Sequence, residues 1–205
     1  MRAHGSSSRA RSAKKTLLLS VVAVLLGTPS VRASTIVDFT GPYASANWTM
    51  TWFQCGDGSA THAATSIQLF GCDDDSGDSG YVERTTAAHA DGTVSFAWAY
   101  ESFDIDLAEF DTAFFVLNGV LTALSDENGA ALQNGTTAFL VSAGDVFGFR
   151  QGTDDNQFGR ADLAIRSFQF AEADATAVPE PTSMLLLGTG LAGMGARRWR
   201  QRRRA

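Results

Sequence analysis

Carboxylates are the side chains in this sequence whose number and spacing could do chemistry. They concentrate in three clusters, which comprise Asp73, Asp74, Asp75 and Asp78, then Asp104, Asp106, Glu109 and Asp111, and finally Asp154, Asp155 and the neighbouring Asn156. Such oxygen atoms are the hard ligands that Ca²⁺ prefers. Two interpretations stay open, namely solvated loops on an acidic surface, or a calcium site. The calcium site would be formed either by Asp104, Asp106 and Asp111 or by Asp154 and Asp155.

Catalytic chemistry has less support in the sequence. His62 and His89 are the histidines of the region 34–174, and the region has no G-x-S-x-G motif that could hold a serine nucleophile. A zinc site would need a further ligand beside these two histidines. Paired carboxylates can cleave glycosides, but among so many acids some pair would be close by chance. We therefore predict that the protein is not an enzyme, with a secreted hydrolase as the most distant alternative.

Aromatic rings are a second kind of candidate, because they can stack on the faces of sugars while carboxylates bond the hydroxyls. Four rings belong to alternating segments and are predicted first to face a core, namely Trp48, Trp52, Trp98 and Tyr100. The rings near predicted strand ends are the better candidates for ligand binding, and they are Tyr43, Trp48 and Tyr81. These rings favour, as the alternative function, a carbohydrate-binding module that calcium would assist.

Charge is distributed very unevenly along the chain. Residues 34–174 contain four arginines, no lysine and twenty-one acidic residues, a formal charge of −17, although the whole chain carries only −6. Such a surface repels phosphate backbones, so we predict no nucleic-acid partner. It suits a soluble extracellular protein, cation binding, or salty surroundings.

The first 33 residues have the pattern of a secretory signal peptide. Five basic residues precede the apolar run Leu17–Leu26, which is too short for a permanent membrane anchor. Val31 and Ala33 place small residues at positions −3 and −1 of a cleavage site. We therefore expect signal peptidase to cleave before Ser34 and to release an exported protein.

Cys55 and Cys72 are the two cysteines of the chain. An even count in an exported protein favours a disulfide between them, and two buried free thiols are the alternative. Closing the loop would stabilise the fold by about 3 kcal/mol if the bond acts by restricting the unfolded chain.

Residues 175–205 combine a proline-containing linker, an apolar run and a basic end. Val178–Pro181 is followed by the apolar residues Met184–Ala196 and by the arginine-rich segment Arg197–Arg204. The apolar run is short for a stable membrane span, and the arginines are expected to stay in the cytoplasm. We therefore expect this tail to contact the membrane only before the protein is processed.

This order of motif, short helix and arginine cluster resembles the PEP-CTERM sorting signal. The resemblance implies that Pro179, Glu180 and Pro181 are recognised by exosortase, a membrane protease with a cysteine nucleophile, and that the tail is processed there. It also implies delivery to the cell surface or the exopolysaccharide matrix of a Gram-negative bacterium. We therefore expect an exported surface or matrix protein with a structural or adhesive role, for which exopolysaccharide is a candidate partner.

Residues 34–174 alternate with the period of strands rather than helices. Val94, Phe96, Trp98 and Tyr100 share one face, and Asn118-Gly119 between two apolar runs is typical of a type I′ hairpin turn. We count about nine short strands, which predicts an all-β sandwich of jelly-roll type. A signal helix at the N-terminus and a short membrane helix at the C-terminus are predicted to flank it.

Several short segments of this middle region form a diffuse pattern. They are Phe39–Pro42, Phe96–Tyr100, Phe103–Asp106, Asp111–Gly119, Leu124–Asp126, Val141–Asp145, Phe147–Phe149 and Thr153–Asn156. Together they resemble the CUB-like or MAM-like sandwich modules of bacterial surface proteins. The resemblance implies the same kind of fold and a surface setting, and it implies no activity.

Overall fold

The computed structural model describes residues 34–106, 108–173 and 190–191. Within these ranges the chain forms eleven strands and two short 3-10 turns, Gly41–Tyr43 and Ser45–Asn47. The strands are β1 (Thr35–Val37), β2 (Thr49–Phe53), β3 (Ser59–Ala63), β4 (Ser66–Phe70), β5 (Gly80–Ala87), β6 (Gly92–Ser102), β7 (Asp111–Leu117), β8 (Val120–Ala123), β9 (Leu132–Val141), β10 (Val146–Thr153) and β11 (Ala161–Glu172).

These strands form two antiparallel sheets that pack face to face. Sheet A has the order β3-β4-β11-β6-β9, with β1 also paired to β11, and sheet B has the order β2-β5-β10-β7-β8. The prediction of an all-β sandwich is therefore confirmed. The count of about nine strands was too low, since the described residues form eleven.

The strand β5 is the hardest to predict from the sequence, and it lies between β2 and β10 in sheet B. Its inward positions are Val82, Arg84 and Thr86, so a charged and a hydroxyl side chain interrupt the apolar face. An alternation of apolar and polar residues is the signal that identifies a half-buried strand. Because Arg84 occupies an inward position, the alternation is broken and does not identify β5 as a strand.

The Asn118-Gly119 hairpin is confirmed between β7 and β8. Asn118 and Gly119 have φ angles of 51° and 81°, and Leu117 pairs with Val120 across the turn. A type I′ turn needs positive φ at both central residues, which asparagine and glycine tolerate best.

Aromatic side chains fill the space between the sheets. Phe115 of sheet B stacks on Phe139 of sheet A with ring centroids 3.9 Å apart. Phe149 meets Phe96 edge to face at 4.8 Å across the same interior. This packing leaves the outward faces of both sheets to carry binding groups.

The predicted disulfide is confirmed between Cys55 and Cys72, whose Cα atoms are 5.2 Å apart. Cys55 follows β2 of sheet B and Cys72 follows β4 of sheet A. The bond therefore joins the two sheets covalently at one end of the sandwich.

Both ends of the chain fall largely outside the described ranges. The predicted signal peptide, residues 1–33, lies outside them, and of the predicted tail only Gly190 and Leu191 are described, as helical residues. The helical segments inside the described ranges lack the length and apolar character of a membrane span. The two flanking helices therefore stay predictions.

Candidate functional site

The outward face of sheet B contains a groove lined by aromatic side chains. Because side chains alternate along a strand, Phe53, Tyr81 and Phe114 face outward while Val82 and Phe115 are buried in the core. The cavity has a volume of about 350 Å³, within the usual range for ligand sites. We call it the aromatic groove, and its lining includes Phe53, Tyr81, Phe110, Phe114, Leu121, Glu127, Arg150, Gly152 and Asp154.

Phe53 and Tyr81 form one wall of the groove. They are direct partners across β2 and β5, and their rings are stacked with centroids 5.9 Å apart and planes 24° apart. Phe53 keeps 51% of its surface exposed. The two rings therefore form an apolar platform at the surface of the protein.

Arg150 is held in a fixed position beside this platform. Its Cζ atom lies 3.7 Å from the centroid of the Tyr81 ring, which is cation–π geometry. Its Nη2 and Nε atoms donate to Glu83 Oε2 at 2.6 and 2.7 Å. Because a carboxylate and a ring both hold the guanidinium, its orientation is fixed before any ligand arrives.

Gly152 provides space inside the groove. It pairs with Tyr81 on one side and with Thr112 on the other, so a side chain here would stand between the platform and the opposite wall. A Cβ atom at this position would lie 3.5 Å from the ring of Phe114. Because Gly152 has no side chain, the space between the two aromatic walls stays open.

Two carboxylates complete the groove. Glu127 and Asp154 are exposed members of its lining, and the amide N–H of Asp154 donates to the carbonyl of Phe110 at 2.8 Å. Carboxylates accept hydrogen bonds from hydroxyl groups. The groove thus combines ring faces, a fixed guanidinium and acceptor oxygens.

The structure separates the three rings that the sequence proposed as ligand contacts. Tyr81 lies in the aromatic groove, whereas Tyr43 is fully buried and Trp48 is only 6% exposed. The indole N–H of Trp48 donates to the carbonyl of Tyr43 at 2.9 Å. The expectation that Tyr43 and Trp48 present a face to a ligand is therefore wrong, because both rings belong to the core.

Most residues of the groove were not identified from the sequence, among them Phe53, Phe110, Phe114, Glu127 and Arg150. Two of them had a usable signal, because Trp52-Phe53 and Phe114-Phe115 are consecutive aromatic residues within strands. Successive side chains of a strand point to opposite faces. One ring of each pair must therefore face away from the core.

Buried carboxylates form a second cluster at one end of the sandwich. Asp104 and Asp111 are 6% and 1% exposed, and the Oδ2 atom of each has no hydrogen-bond partner among the described residues. Burial raises the pKa of Asp111 to about 7. A hydrogen bond with Thr153 lowers this pKa, and the charges of Asp104 and Asp155 raise it further. Burial also raises the pKa of Asp104. We call Asp104, Asp111 and Asp155 the acidic cluster.

The structure places the predicted calcium ligands in different surroundings. Asp104, Asp111 and Asp155 interact electrostatically. Asp106 is exposed but also interacts with Asp104, and Asp154 lines the aromatic groove. In the part of the chain that the structure describes, no three side chains of His, Cys, Asp or Glu form a group that could hold a metal ion. A calcium site would therefore need other oxygen ligands as well, and it stays a prediction.

The two histidines of the domain have structural surroundings. His62 contacts Phe39 and Trp48 at ring distances of 4.8 and 5.4 Å, and burial, aided by Arg84, lowers its pKa to about 4. His89 contacts the hydroxyl of Tyr43 at 3.0 Å and a carboxylate oxygen of Glu172 at 2.8 Å. Core packing surrounds His62, whose two ring nitrogens have no hydrogen-bond partner among the described residues, and surface bonds hold His89.

Residues 177–203 match the PEP-CTERM protein-sorting motif. The match contains Pro179, Glu180 and Pro181, which the sequence analysis identified as the recognition motif. The chain is therefore an exported protein that carries a sorting signal. No curated protein matches the chain in sequence.

Several solved structures are similar to this chain at low sequence identity. A carbohydrate-binding module studied for specific mannan recognition, TmCBM27, has a TM-score of 0.41 and 11% identity, over 69% of this chain and 99% of that one. A family 35 carbohydrate-binding module from Clostridium thermocellum has a TM-score of 0.35 and 10% identity, over 69% and 100%. The family 11 module of the cellulase Lic26A-Cel5E of Clostridium thermocellum has 0.39 and 10%, over 70% and 96%. The CUB-like or MAM-like resemblance stays a prediction.

Proposed function

We propose that this exported protein binds a saccharide through the aromatic groove, and that this binding gives it an adhesive role at the cell surface or in the surrounding matrix. The observation that carries the proposal is the exposed platform of Phe53 and Tyr81 beside the fixed guanidinium of Arg150. Apolar rings that stay exposed on a soluble domain commonly mark an interaction site. Here the rings occur together with groups that bond hydroxyls.

The chemistry of the groove suits a sugar better than a purely apolar ligand. A sugar ring presents C–H groups on its faces, which pack against aromatic rings, and hydroxyls at its edge, which need hydrogen-bond partners. Phe53 and Phe114 supply ring surface, while Glu127 and Asp154 supply acceptors. Because Arg150 is already oriented by Glu83, little side-chain entropy would be lost on binding.

The proposal is tested by glycan-array screening of the purified protein, followed by calorimetry with the best neutral saccharide. Phe53→Ala and Tyr81→Ala should each weaken binding about tenfold or more, because truncating a ring at the centre of a site commonly costs more than about 1 kcal/mol. The control is Trp52→Ala, which removes a ring that is 62% exposed and adjacent in sequence but outside the groove.

Thermal melting of each variant separates lost binding from lost folding. Loss of affinity in the two groove variants, with retained affinity in the control, would support the proposal. Absence of binding to every saccharide, or equal affinities in all three variants, would overturn it.

We also propose that exosortase processes the tail after recognising Pro179, Glu180 and Pro181, which the match over residues 177–203 supports. Intact-mass analysis of protein recovered from the native cell surface should give a chain that lacks the arginine-rich end. Replacing Glu180 by Ala should leave the tail attached, whereas replacing Thr182 by Ala should not. A surface protein that still ends at Ala205 would contradict this processing.

A further inference from the structure

Resting on the proposed function, we infer that the aromatic groove selects uncharged saccharides and rejects those that carry uronic acids. The inference concerns charge, and it follows from the positions of Arg150, Glu83, Glu127 and Asp154. A protein in an exopolysaccharide matrix can meet both neutral and acidic polysaccharides. The charge of the groove therefore decides which of them it can hold.

Arg150 is the cation of the groove lining, but Glu83 neutralises it. Two guanidinium nitrogens lie 2.6 and 2.7 Å from one carboxylate oxygen, and the side chains of Arg150 and Glu83 are only 19% and 12% exposed. Charge-assisted bonds of this kind are short and strong. A ligand carboxylate could bind Arg150 only by displacing Glu83, which would leave that acid buried without a partner.

Uncompensated negative charge then remains at Glu127 and Asp154. Both carboxylates are exposed in the groove, and neither forms an ion pair within the residues that the structure describes. The other described arginines do not neutralise these two carboxylates. Arg84 and Arg160 bond elsewhere, and Arg166 is an exposed residue of sheet A outside the groove. The surrounding domain, at −17, has the same sign.

A uronate in the groove would therefore meet two like charges and, among the described residues, no available cation. Repulsion between unit charges a few ångströms apart is appreciable near a protein surface, and salt screens it over about 10 Å at 0.1 M. At low ionic strength we expect a uronate to bind about tenfold or more weakly than the matching neutral sugar. Raising the salt concentration should narrow this difference.

The experiment uses the best neutral hit of the array and its derivative oxidised at C6 to the uronate, with EDTA present so that no divalent cation bridges the carboxylates. Calorimetry at about 20 mM and 500 mM sodium chloride measures both affinities. We expect the neutral sugar to be favoured about tenfold at low salt, and the ratio to fall at high salt. A uronate that binds as tightly as the neutral sugar at low salt would overturn the inference.

Charge variants test whether the groove itself makes the selection. The double variant Glu127→Gln and Asp154→Asn should reduce the preference to about threefold or less, because it removes both charges and keeps the side-chain shape. The control, Glu101→Gln with Asp106→Asn, removes two exposed charges outside the groove and should keep the preference. Equal behaviour of the two double variants would assign the selection to the net charge of the domain and would overturn the inference.

Failure of the inference and failure of the proposed function give different results. If the groove binds no saccharide, the neutral hit and its uronate both fail to bind, and the ring variants change nothing. If only the charge selection is wrong, the neutral sugar still binds and Phe53→Ala still weakens it, while the uronate binds equally well.

Discussion

The aromatic groove and the acidic cluster both gather carboxylates, but they place them in opposite environments. In the groove Glu127 and Asp154 stay exposed. In the cluster Asp104 and Asp111 are buried, and each has one carboxylate oxygen without a hydrogen-bond partner among the described residues. Water stabilises an exposed charge, whereas burial penalises it unless a proton or a cation compensates. The groove can therefore present its charge to a ligand, and the cluster instead makes stability depend on pH.

The comparison predicts that stability falls as the cluster ionises. Burial above all raises the pKa of Asp111 to about 7, compared with about 3.9 in an unfolded chain. Between about pH 4 and pH 7 the folded state keeps a proton that the unfolded state has released. The contribution of Asp111 to the free energy of unfolding should therefore be highest below about pH 4, fall as the pH rises through this window, and level off above pH 7.

Asp111→Asn should abolish this fall. At pH 8 in EDTA the variant should unfold with a free energy higher by several kcal/mol, with about 4 kcal/mol as the ceiling that about three pKa units set. Urea unfolding at pH 4, 6 and 8 measures the difference. The control Asp78→Asn removes an exposed carboxylate and should change stability by about 0.5 kcal/mol or less. A difference in stability between Asp111→Asn and the wild type that is the same at all three pH values would refute the assignment.

The disulfide should matter to the acidic end more than to the groove. Cys72 precedes Asp73, whose Oδ1 accepts the amide N–H of Gly159 at 3.2 Å, so the bond restrains a loop beside the cluster. Replacing Cys55 and Cys72 by Ala should lower the free energy of unfolding by about 3 kcal/mol. At a temperature where the variant stays folded, its affinity for the saccharide should match the wild type. Loss of binding without loss of stability would show that the two regions are coupled.

The sandwich could be predicted from the sequence because its signals are local. Alternation along β6 and the Asn118-Gly119 turn depend on neighbouring residues only. The strand β5 could not be found, because Arg84 breaks its apolar face and only pairing with β2 and β10 reveals it. Local pattern therefore gives the class of fold, while individual strands depend on their partners.

The candidate sites were harder to predict, because exposure is a property of the folded chain. Tyr43, Trp48 and Tyr81 are similar rings in the sequence, yet only Tyr81 reaches the surface groove. Asp154 and Asp155 are adjacent in the sequence, and a grouping by spacing assigns them to one calcium site. The structure places Asp154 in the groove and Asp155 near Asp111. Two residues that are neighbours in the sequence therefore belong to two different sites, the aromatic groove and the acidic cluster.

Adding calcium should give the smallest effect on stability, but it discriminates best between the acidic cluster and the aromatic groove. If buried oxygen atoms of Asp104 and Asp111 take part in a cation site, millimolar Ca²⁺ should raise the melting temperature more than Mg²⁺ at equal ionic strength, since Mg²⁺ demands stricter geometry. A hundredfold excess over Kd adds about 2.7 kcal/mol to the free energy of unfolding. Asp104→Asn should abolish this rise, whereas Asp154→Asn, in the groove, should keep it. Equal melting temperatures in matched Ca²⁺, Mg²⁺ and sodium buffers would exclude calcium and leave the proton as the compensating charge. A rise lost in Asp154→Asn alone would instead place the ion in the groove and reverse the comparison.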